Sequence, residues 1–203
     1  MTDNVEAYLI YGLVWIGFGL AHSLLASQII KHKLAHILGP AYRLTYNGFA
    51  IITFALVLWI GHQVFAPDIG YTLSHKTKLL LGFVEICGWV FMYFALGLYD
   101  MGRFAGTHQI RAAKNGGDAA DDEALHTKGL HRYMRHPLYS AAFLILWGGV
   151  WSPFGLATAI LGSAYLLVGT FFEERRLIAR YGSDYVSYQS AVPAFIPWKG
   201  RAA

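Results

Sequence analysis

The residues from Tyr139 to Phe172 contain no Lys, Arg, Asp, Glu or His, which leaves few folds open to this chain. Three shorter apolar segments precede this stretch, and each carries a single side chain of those five types. A bilayer core about 30 Å thick needs roughly 20 residues of helix at about 1.5 Å per residue, so each shorter segment is predicted to span once. The shorter segments, with their one exceptional residue, are Tyr8–Ser27 (His22), Tyr46–Phe65 (His62) and Leu79–Leu98 (Glu85).

The charge-free stretch is long enough for two helices, and its middle reads WSPFG at Trp151–Gly155. Ser, Pro and Gly this close together indicate a turn. The sequence therefore predicts an all-α integral membrane fold with five transmembrane helices, the last two forming a tight hairpin. Small residues flank the turn and are expected to let the hairpin helices approach closely. They are Gly148, Gly149, Gly155, Ala159 and Gly162.

Composition agrees with a membrane location. Hydrophobic residues make up 56% of the 203 residues and charged residues 14%, whereas a soluble domain averages about a quarter charged. The N-terminal flank MTDNVE has no Lys or Arg, so the first helix is expected to be a retained span with its N-terminus outside, because a cleaved signal has a positive flank. One membrane domain is predicted, with three spans in 1–98, a cytosolic segment in 99–138, the hairpin in 139–172 and a cytosolic tail in 173–203.

The Lys and Arg residues set the predicted orientation. With the N-terminus outside, 14 of the 16 fall on the inner side, a strong positive-inside bias typical of a bacterial inner-membrane protein. The excess of basic over acidic residues thus reflects the orientation of the chain in the membrane, and no nucleic acid partner is predicted. The inner residues are Lys31, Lys33, Arg43, Arg103, Arg111, Lys114, Lys128, Arg132, Arg135, Arg175, Arg176, Arg180, Lys199 and Arg201; the outer ones are Lys76 and Lys78.

Two polar clusters lie on either side of the hairpin: HTKGLHRYMRHPLY at 126–139 and EERRLIARYGSDYVSYQSAVPAFIP at 173–197. A hairpin returns both clusters to one membrane face, the predicted cytosolic one. Pro137 fits the first turn of a helix, so the fourth helix is predicted to begin there, with its free amide groups available to a carboxylate. A pocket for a water-soluble cofactor beside a lipid-borne acceptor is expected at this face.

A plainer interpretation has to be weighed for each charged residue. Arg and Glu at helix ends often serve as interfacial anchors or as surface ion pairs of little energy. Metal binding is disfavoured: three histidines are spaced by five, which is no helix face, and the single cysteine, Cys87, lies within a span. His22 lies inside a span and should be paired, whereas Glu85, also inside a span, is either a functional residue or a partner in a helix-to-helix hydrogen bond. The histidines are His126, His131 and His136, and an acidic trio is Asp121, Asp122 and Glu123.

The two clusters also carry a family resemblance. HTKGLHRYMRHPLY resembles the T-x-G-x-x-R-x-x-R-H-P-x-Y signature of the isoprenylcysteine carboxyl methyltransferase and phospholipid methyltransferase superfamily. The second cluster is similar to the E-E-x-x-L…Y-G-x-x-Y-x-x-Y…V-P-x-x-x-P tail of the same superfamily. The match covers about Tyr99–Trp198. The N-terminal half, especially AHSLLAS at Ala21–Ser27, is more similar to NnrU-like and methanethiol S-methyltransferase-like bacterial branches.

The resemblance implies an S-adenosylmethionine-dependent membrane methyltransferase. Arg135 and Glu174 are the implied catalytic residues, with Arg135 orienting the acceptor or the cofactor carboxylate. The acceptor, a lipophilic or small membrane-permeant carboxylate, thiol or amine, is left open. The implied cofactor-binding residues are Thr127, Gly129, His136, Pro137, Tyr139, Glu173, Glu174 and Tyr185.

Two other interpretations remain. An NADPH-dependent sterol or enone reductase shares an R-H-P-x-Y element and a similar tail, although the Glu173–Glu174 pair is typical of the methyltransferases. A non-enzymatic NnrU-like membrane protein, with His22 as a haem ligand, is the other.

Overall fold

The computed structural model describes residues 2–65, 70–116 and 124–199, and the secondary structure within these ranges is helical, without strands. The predicted all-α class is therefore confirmed. In chain order, the α-helices of the described ranges are α1 (Thr2–Ala26), α2 (Gln28–Leu38), α3 (Tyr42–Val64), α4 (His75–Leu96), α5 (Met101–Ala105), α6 (Thr107–Lys114), α7 (Pro137–Gly148), α8 (Pro153–Tyr181) and α9 (Ser183–Ala191).

Four helical segments of the described ranges are long and apolar enough to cross a membrane. They include the three predicted single spans and the second arm of the hairpin. The other arm, α7, has 12 residues and is about 18 Å long, short of a bilayer core of about 30 Å. The count of five spans thus stays a prediction. The segments are Val5–Ala26, Ile29–Val64, His75–Leu96 and Pro153–Tyr181.

The chain divides into two compact units, and the third span does not group with the first two. One unit comprises Met1–Gly70 and Tyr99–Asp121, and the other comprises Tyr71–Leu98 and Asp122–Ala203. Helix α4 therefore belongs to the same unit as α7, α8, α9 and both polar clusters. The single membrane domain stays a prediction.

Aromatic rings along α1 build the interior of the first unit. Tyr11, Trp15 and Phe18 are buried and lie on one face because their spacing is three to four residues. Trp15 meets Phe54 edge-on at 6.0 Å between ring centroids, and Tyr11 meets Phe65 at 5.8 Å. Such edge-to-face pairs fix helix contacts where lipid surroundings remove the hydrophobic drive to associate.

The partly buried histidine of α1 has the partner that its position requires. Nε2 of His22 lies 2.6 Å from the hydroxyl of Tyr46 on α3, and the two rings are 5.0 Å apart. This hydrogen bond links α1 to α3 within the apolar region. The prediction that His22 is paired is confirmed.

In the second unit, α4 and α7 approach each other through two glycines. A Cβ added at Gly88 would lie 2.7 Å from the backbone nitrogen of Ile145, and one at Gly148 would lie 2.6 Å from Cα of Glu85. Side chains at either position would force the helices apart. Gly148 was expected to pack within the hairpin; it packs instead against α4, because α7 lies more extensively on that helix than on α8.

The hairpin turn lies where the sequence predicted it. Helix α7 ends at Gly148, and α8 begins at Pro153, with the Ser152 hydroxyl accepting a hydrogen bond from the amide of Gly155 at 3.1 Å. Helix α8 has 29 residues and is about 44 Å long, more than a bilayer core requires. Helix α8 therefore extends beyond the apolar stretch and includes both Glu173 and Glu174.

Candidate active site

The tail is hydrogen-bonded to the residues just before α7. The amide of Arg135 donates to the carbonyl of Pro193, and the amide of His136 donates to the carbonyl of Ala194, both at 2.9 Å. Pro137 then opens α7 as predicted, since a residue without an amide hydrogen loses nothing at the first helical position. The two polar clusters are thus joined through their backbones, which fixes the side chains between them.

Glu174 is the hub of the side-chain network. Its Oε1 accepts from Nε of Arg135 at 2.7 Å and faces Nε2 of His136 at 3.0 Å, while its Oε2 accepts from the amide nitrogen of Gln189 at 2.8 Å. The Arg135 guanidinium also donates to the carbonyls of Gln189, at 3.1 Å, and of Val192. The Arg135 and Glu174 side chains are only 10% and 13% exposed, so this ion pair is shielded from solvent.

Glu173 has a different environment, although it is the next residue in the chain. Successive helix positions differ by about 100° around the axis, and the Glu173 side chain remains 40% exposed. Its Oε2 accepts from the Tyr139 hydroxyl at 2.8 Å and lies 3.9 Å from Nδ1 of His136. The rings of His136 and Tyr139 stack at 5.4 Å with planes 9° apart. An accessible carboxylate therefore lies beside a pair of stacked rings.

Two tyrosines of α9 form the core beneath this network. The Tyr188 hydroxyl donates to the carbonyl of His131 at 2.5 Å, and burial raises the pKa of Tyr188 to about 12. Tyr185 is 1% exposed, and its hydroxyl has no hydrogen-bond partner among the described residues. Burial, together with the negative charge of Glu174, raises the pKa of Tyr185. Burial also lowers the pKa of His131, whose Nδ1 lies 3.1 Å from the carbonyl of Arg135.

Thr127 and Gly129 line cavities, whereas the other predicted site residues are joined by hydrogen bonds or packing. A cavity of about 350 Å³ is lined by Thr127, Lys128, Gly129 and Arg132. A second, of about 510 Å³, shares Gly129 and Arg132 and is otherwise lined by apolar and aromatic side chains. Both are open depressions, and the larger one is the more open of the two. The remaining lining residues of the larger cavity are Phe94, Leu98, Leu130 and Tyr133.

Gln189 is the residue of the network that the sequence did not single out. Its side chain donates to Glu174, and its backbone carbonyl accepts from Arg135. A lone Gln after a Tyr repeat carries no motif. If the tyrosines of α9 face the core, the polar residues of that helix have to face the acidic pair. This was the only signal in the sequence that could have indicated Gln189.

Among the described residues, no three His, Cys, Asp or Glu side chains are grouped closely enough to hold a metal ion. His126 and His131 have ring centroids 6.0 Å apart. The acidic trio at residues 121–123 lies outside the described residues.

Comparisons with known proteins agree with the motifs. No protein-family model and no solved structure matches the chain. Among curated proteins, it is 30% identical to methanethiol S-methyltransferase 2 of Bradyrhizobium diazoefficiens over 97% of this chain and 75% of that protein. It is 28% identical to methanethiol S-methyltransferase 1 of the same organism, over 98% of this chain and 70% of that protein.

A third relative is the methanethiol S-methyltransferase of Crocosphaera subtropica, 29% identical over 97% of this chain and 77% of that protein. These matches run nearly the full length of the chain, so they include the N-terminal half, where the motif resemblance was short. The apolar spans agree with an integral membrane protein. The chain therefore belongs to the methanethiol S-methyltransferase family of membrane proteins, consistent with the predicted isoprenylcysteine carboxyl methyltransferase-like superfamily.

Proposed function

We propose that this protein is an S-adenosylmethionine-dependent methyltransferase that methylates a small thiol at the cytosolic face of a bacterial inner membrane. The observation that carries the proposal is the accessible Glu173 carboxylate beside the stacked rings of His136 and Tyr139. The names of the relatives supply the acceptor class, because methanethiol is the thiol named for them.

The residues present suit this cofactor chemically. When bound, S-adenosylmethionine supplies a methyl group on a positively charged sulfur. Glu173 offers a carboxylate to a cation, and the partly buried Tyr139 ring, which His136 supports by stacking, offers π density; a cation over an aromatic ring gains about 0.5–2 kcal/mol. The buried Tyr185 hydroxyl offers an additional donor. Thr127 and Gly129 supply cavity walls.

Glu174 and Arg135 stay predicted as catalytic residues, but their contacts favour a positioning role. Both oxygens of Glu174 already accept hydrogen bonds from protein donors, and Arg135 is tied to Glu174 and to two backbone carbonyls. Because a carboxylate only accepts, Glu174 favours a proton on Nε2 of His136. Nδ1 of His136 lies 3.9 Å from Oε2 of Glu173, and the ring stacks on Tyr139. Positioning of this kind suits an in-line displacement that needs no protein nucleophile.

The cytosolic location rests on charge. Arg175, Arg176 and Arg180 follow the acidic pair on α8, and such residues favour the cytoplasmic side of a membrane. The cofactor is water-soluble, so its pocket has to open toward the cytosol.

The direct experiment is calorimetric titration of the full-length protein in lipid nanodiscs with S-adenosylhomocysteine, together with gas-chromatographic detection of dimethyl sulfide from methanethiol. Glu173→Gln keeps the shape of the side chain and removes its charge, so we expect weaker binding with folding retained. Asp184→Asn is the matched control, since Asp184 is an exposed carboxylate in the same unit.

Glu174→Ala is a poorer test, because it would leave the Arg135 guanidinium shielded without its partner, a change that costs about 3–5 kcal/mol in buried pairs. Absence of S-adenosylhomocysteine binding in folded wild-type protein would refute the proposal. NADPH is titrated in parallel: binding of NADPH alone would favour the reductase interpretation, for which the smaller cavity is lined by the cationic Lys128.

A further inference from the structure

The first unit carries a short helix, α2, for which the proposed methyl transfer has no use. Helix α3 has 23 residues and is about 34 Å long, enough for a bilayer core of about 30 Å without α2. Helix α2 begins at Gln28, just after α1 ends at Ala26, and the Ser27 hydroxyl caps it by accepting from the amide of Ile30 at 3.4 Å. Because α2 lies between the end of one span and the start of the next, it belongs at a membrane surface.

Helices α5 and α6 are held at the same end of this unit. The Asn47 side chain, on α3, donates to the carbonyl of Phe104 at 2.9 Å. Gly106, between α5 and α6, has φ +98°, and a Cβ added there would lie 2.6 Å from the backbone nitrogen of Leu44. Glycine therefore lets this link approach the first turns of α3. Helices α2 and α6 also both contact the short helical turn Gly39–Ala41, so the fold brings them to one surface.

Four exposed basic side chains lie on α2 and α6, and these segments hold almost no acidic residues. Residues 28–47 contain no Asp or Glu, and residues 99–116 contain only Asp100. Its carboxylate already accepts from the amides of Gly102 and Arg103, at 2.8 Å and 3.1 Å. None of the four basic side chains forms an ion pair with another described residue. We call these four residues the basic surface: Lys31, Lys33, Arg111 and Lys114.

Apolar side chains accompany the basic surface. Ile29, Lys33 and Ile37 follow one another at intervals of four residues, so they lie along one face of α2. The two isoleucines are 72% and 76% exposed. A lysine between exposed isoleucines suits the boundary between acyl chains and headgroups, because its stem contacts apolar groups while its ammonium reaches the polar layer. A small water-soluble anion would leave both isoleucines uncovered, whereas a lipid covers them.

We propose that the basic surface binds the headgroup phosphates of anionic phospholipids, with Ile29 and Ile37 against their acyl chains. The charges are complementary, and each Lys or Arg near an anionic leaflet strengthens such binding about fivefold, which corresponds to about 1 kcal/mol. In the proposed topology the surface faces the cytosolic leaflet. The inference goes beyond the proposed methyl transfer, because the basic surface belongs to the first unit and the acidic pair Glu173–Glu174 to the second.

Native mass spectrometry of the full-length protein in mild detergent measures the dissociation constant of the first lipid bound. We expect phosphatidylglycerol to bind at least about tenfold more tightly than phosphatidylcholine, whose headgroup has no net charge. Lys33→Gln and Arg111→Gln should each weaken phosphatidylglycerol binding about fivefold. Lys76→Gln removes the same charge from an exposed position on α4 and should leave the binding unchanged. Circular dichroism checks that each variant is folded.

A competition experiment identifies the source of the phosphate. Inorganic phosphate at the concentration of the lipid should not displace phosphatidylglycerol, and the double variant Ile29→Gln/Ile37→Gln should bind the lipid more weakly than wild type. Displacement by inorganic phosphate would assign the surface to a soluble anion and overturn the inference. Equal affinities for the two lipids, or an equal loss in folded Lys76→Gln and Lys33→Gln, would overturn it as well. Binding of S-adenosylhomocysteine is a separate result, which tests the proposed function alone.

Discussion

Replacing each of the two α9 tyrosines by Phe should give opposite effects on stability. Tyr188 donates to the His131 carbonyl at 2.5 Å in a buried site, whereas the Tyr185 hydroxyl is buried with no partner among the described residues. The rings meet edge-on at 5.9 Å, a contact that Phe retains. The pair therefore isolates the contribution of one hydroxyl at a time.

The magnitudes follow from burial. Tyr188→Phe leaves the His131 carbonyl without its donor in a buried position and should lower the free energy of unfolding by about 1–3 kcal/mol. Tyr185→Phe removes a hydroxyl whose desolvation nothing offsets and should leave stability unchanged or raise it by up to about 1 kcal/mol. The volume change is small in both cases, so cavity terms do not obscure the comparison.

Equilibrium unfolding in mixed micelles, followed by circular dichroism, measures both variants against the wild type. A loss of stability in Tyr185→Phe equal to that in Tyr188→Phe would refute the reasoning, since it would require a partner for the Tyr185 hydroxyl. S-adenosylhomocysteine binding adds an independent readout. If Tyr185 donates to the cofactor, as proposed, Tyr185→Phe should weaken that binding without destabilising the free protein.

Three more predictions test other parts of the structure. Burial lowers the pKa of His131 in the folded protein. At pH values between that lowered pKa and the ordinary histidine pKa of about 6.5, the unfolded chain therefore binds more protons than the folded protein. The contribution of His131 to the free energy of unfolding should therefore be fully present above about pH 7 and be lost as the pH falls through that window. An equal slope of the free energy of unfolding against pH in wild type and His131→Gln would contradict this. Gly148→Ala should separate α4 from α7 and cost about 1–3 kcal/mol, while Gly169→Ala, with open space around its Cα, should cost nothing measurable; equal melting temperatures would argue against the close approach. In a Cys87→Ala background, an impermeant maleimide should label Ser74→Cys on intact spheroplasts and Ser183→Cys only after lysis, and the reverse pattern would invert the proposed topology.

Local signals in the sequence anticipated much of the fold. The start of α7 at Pro137 and of α8 at Pro153 depends on proline chemistry at the first helical turn, which involves only near neighbours. The lengths of the long helices follow from apolar runs matched to a bilayer. Local signals do not show which helices pack against each other, because a glycine such as Gly148 can pack on any neighbouring helix. The sequence could not show that its neighbour is α4.

The candidate site shows the same division. The motifs predicted that the RHPLY segment and the acidic pair lie together, and hydrogen bonds join His136 to Glu174 and Tyr139 to Glu173. They could not rank the two glutamates, because adjacent helical residues differ in direction and only the surrounding helices decide which one is shielded. Nor could they identify Gln189, whose contact with Glu174 spans 15 residues of chain and a change of helix.

The sequence by itself thus determined a helical membrane protein, the starts of α7 and α8 and its family, because these depend on local composition, proline and two short motifs. The tertiary structure alone decided which carboxylate is enclosed by donors, which stays accessible, and that Arg132 faces an apolar cavity. The physical reason is that burial and hydrogen bonding depend on the neighbours that packing brings together, and neighbours distant in the chain leave no mark on local sequence.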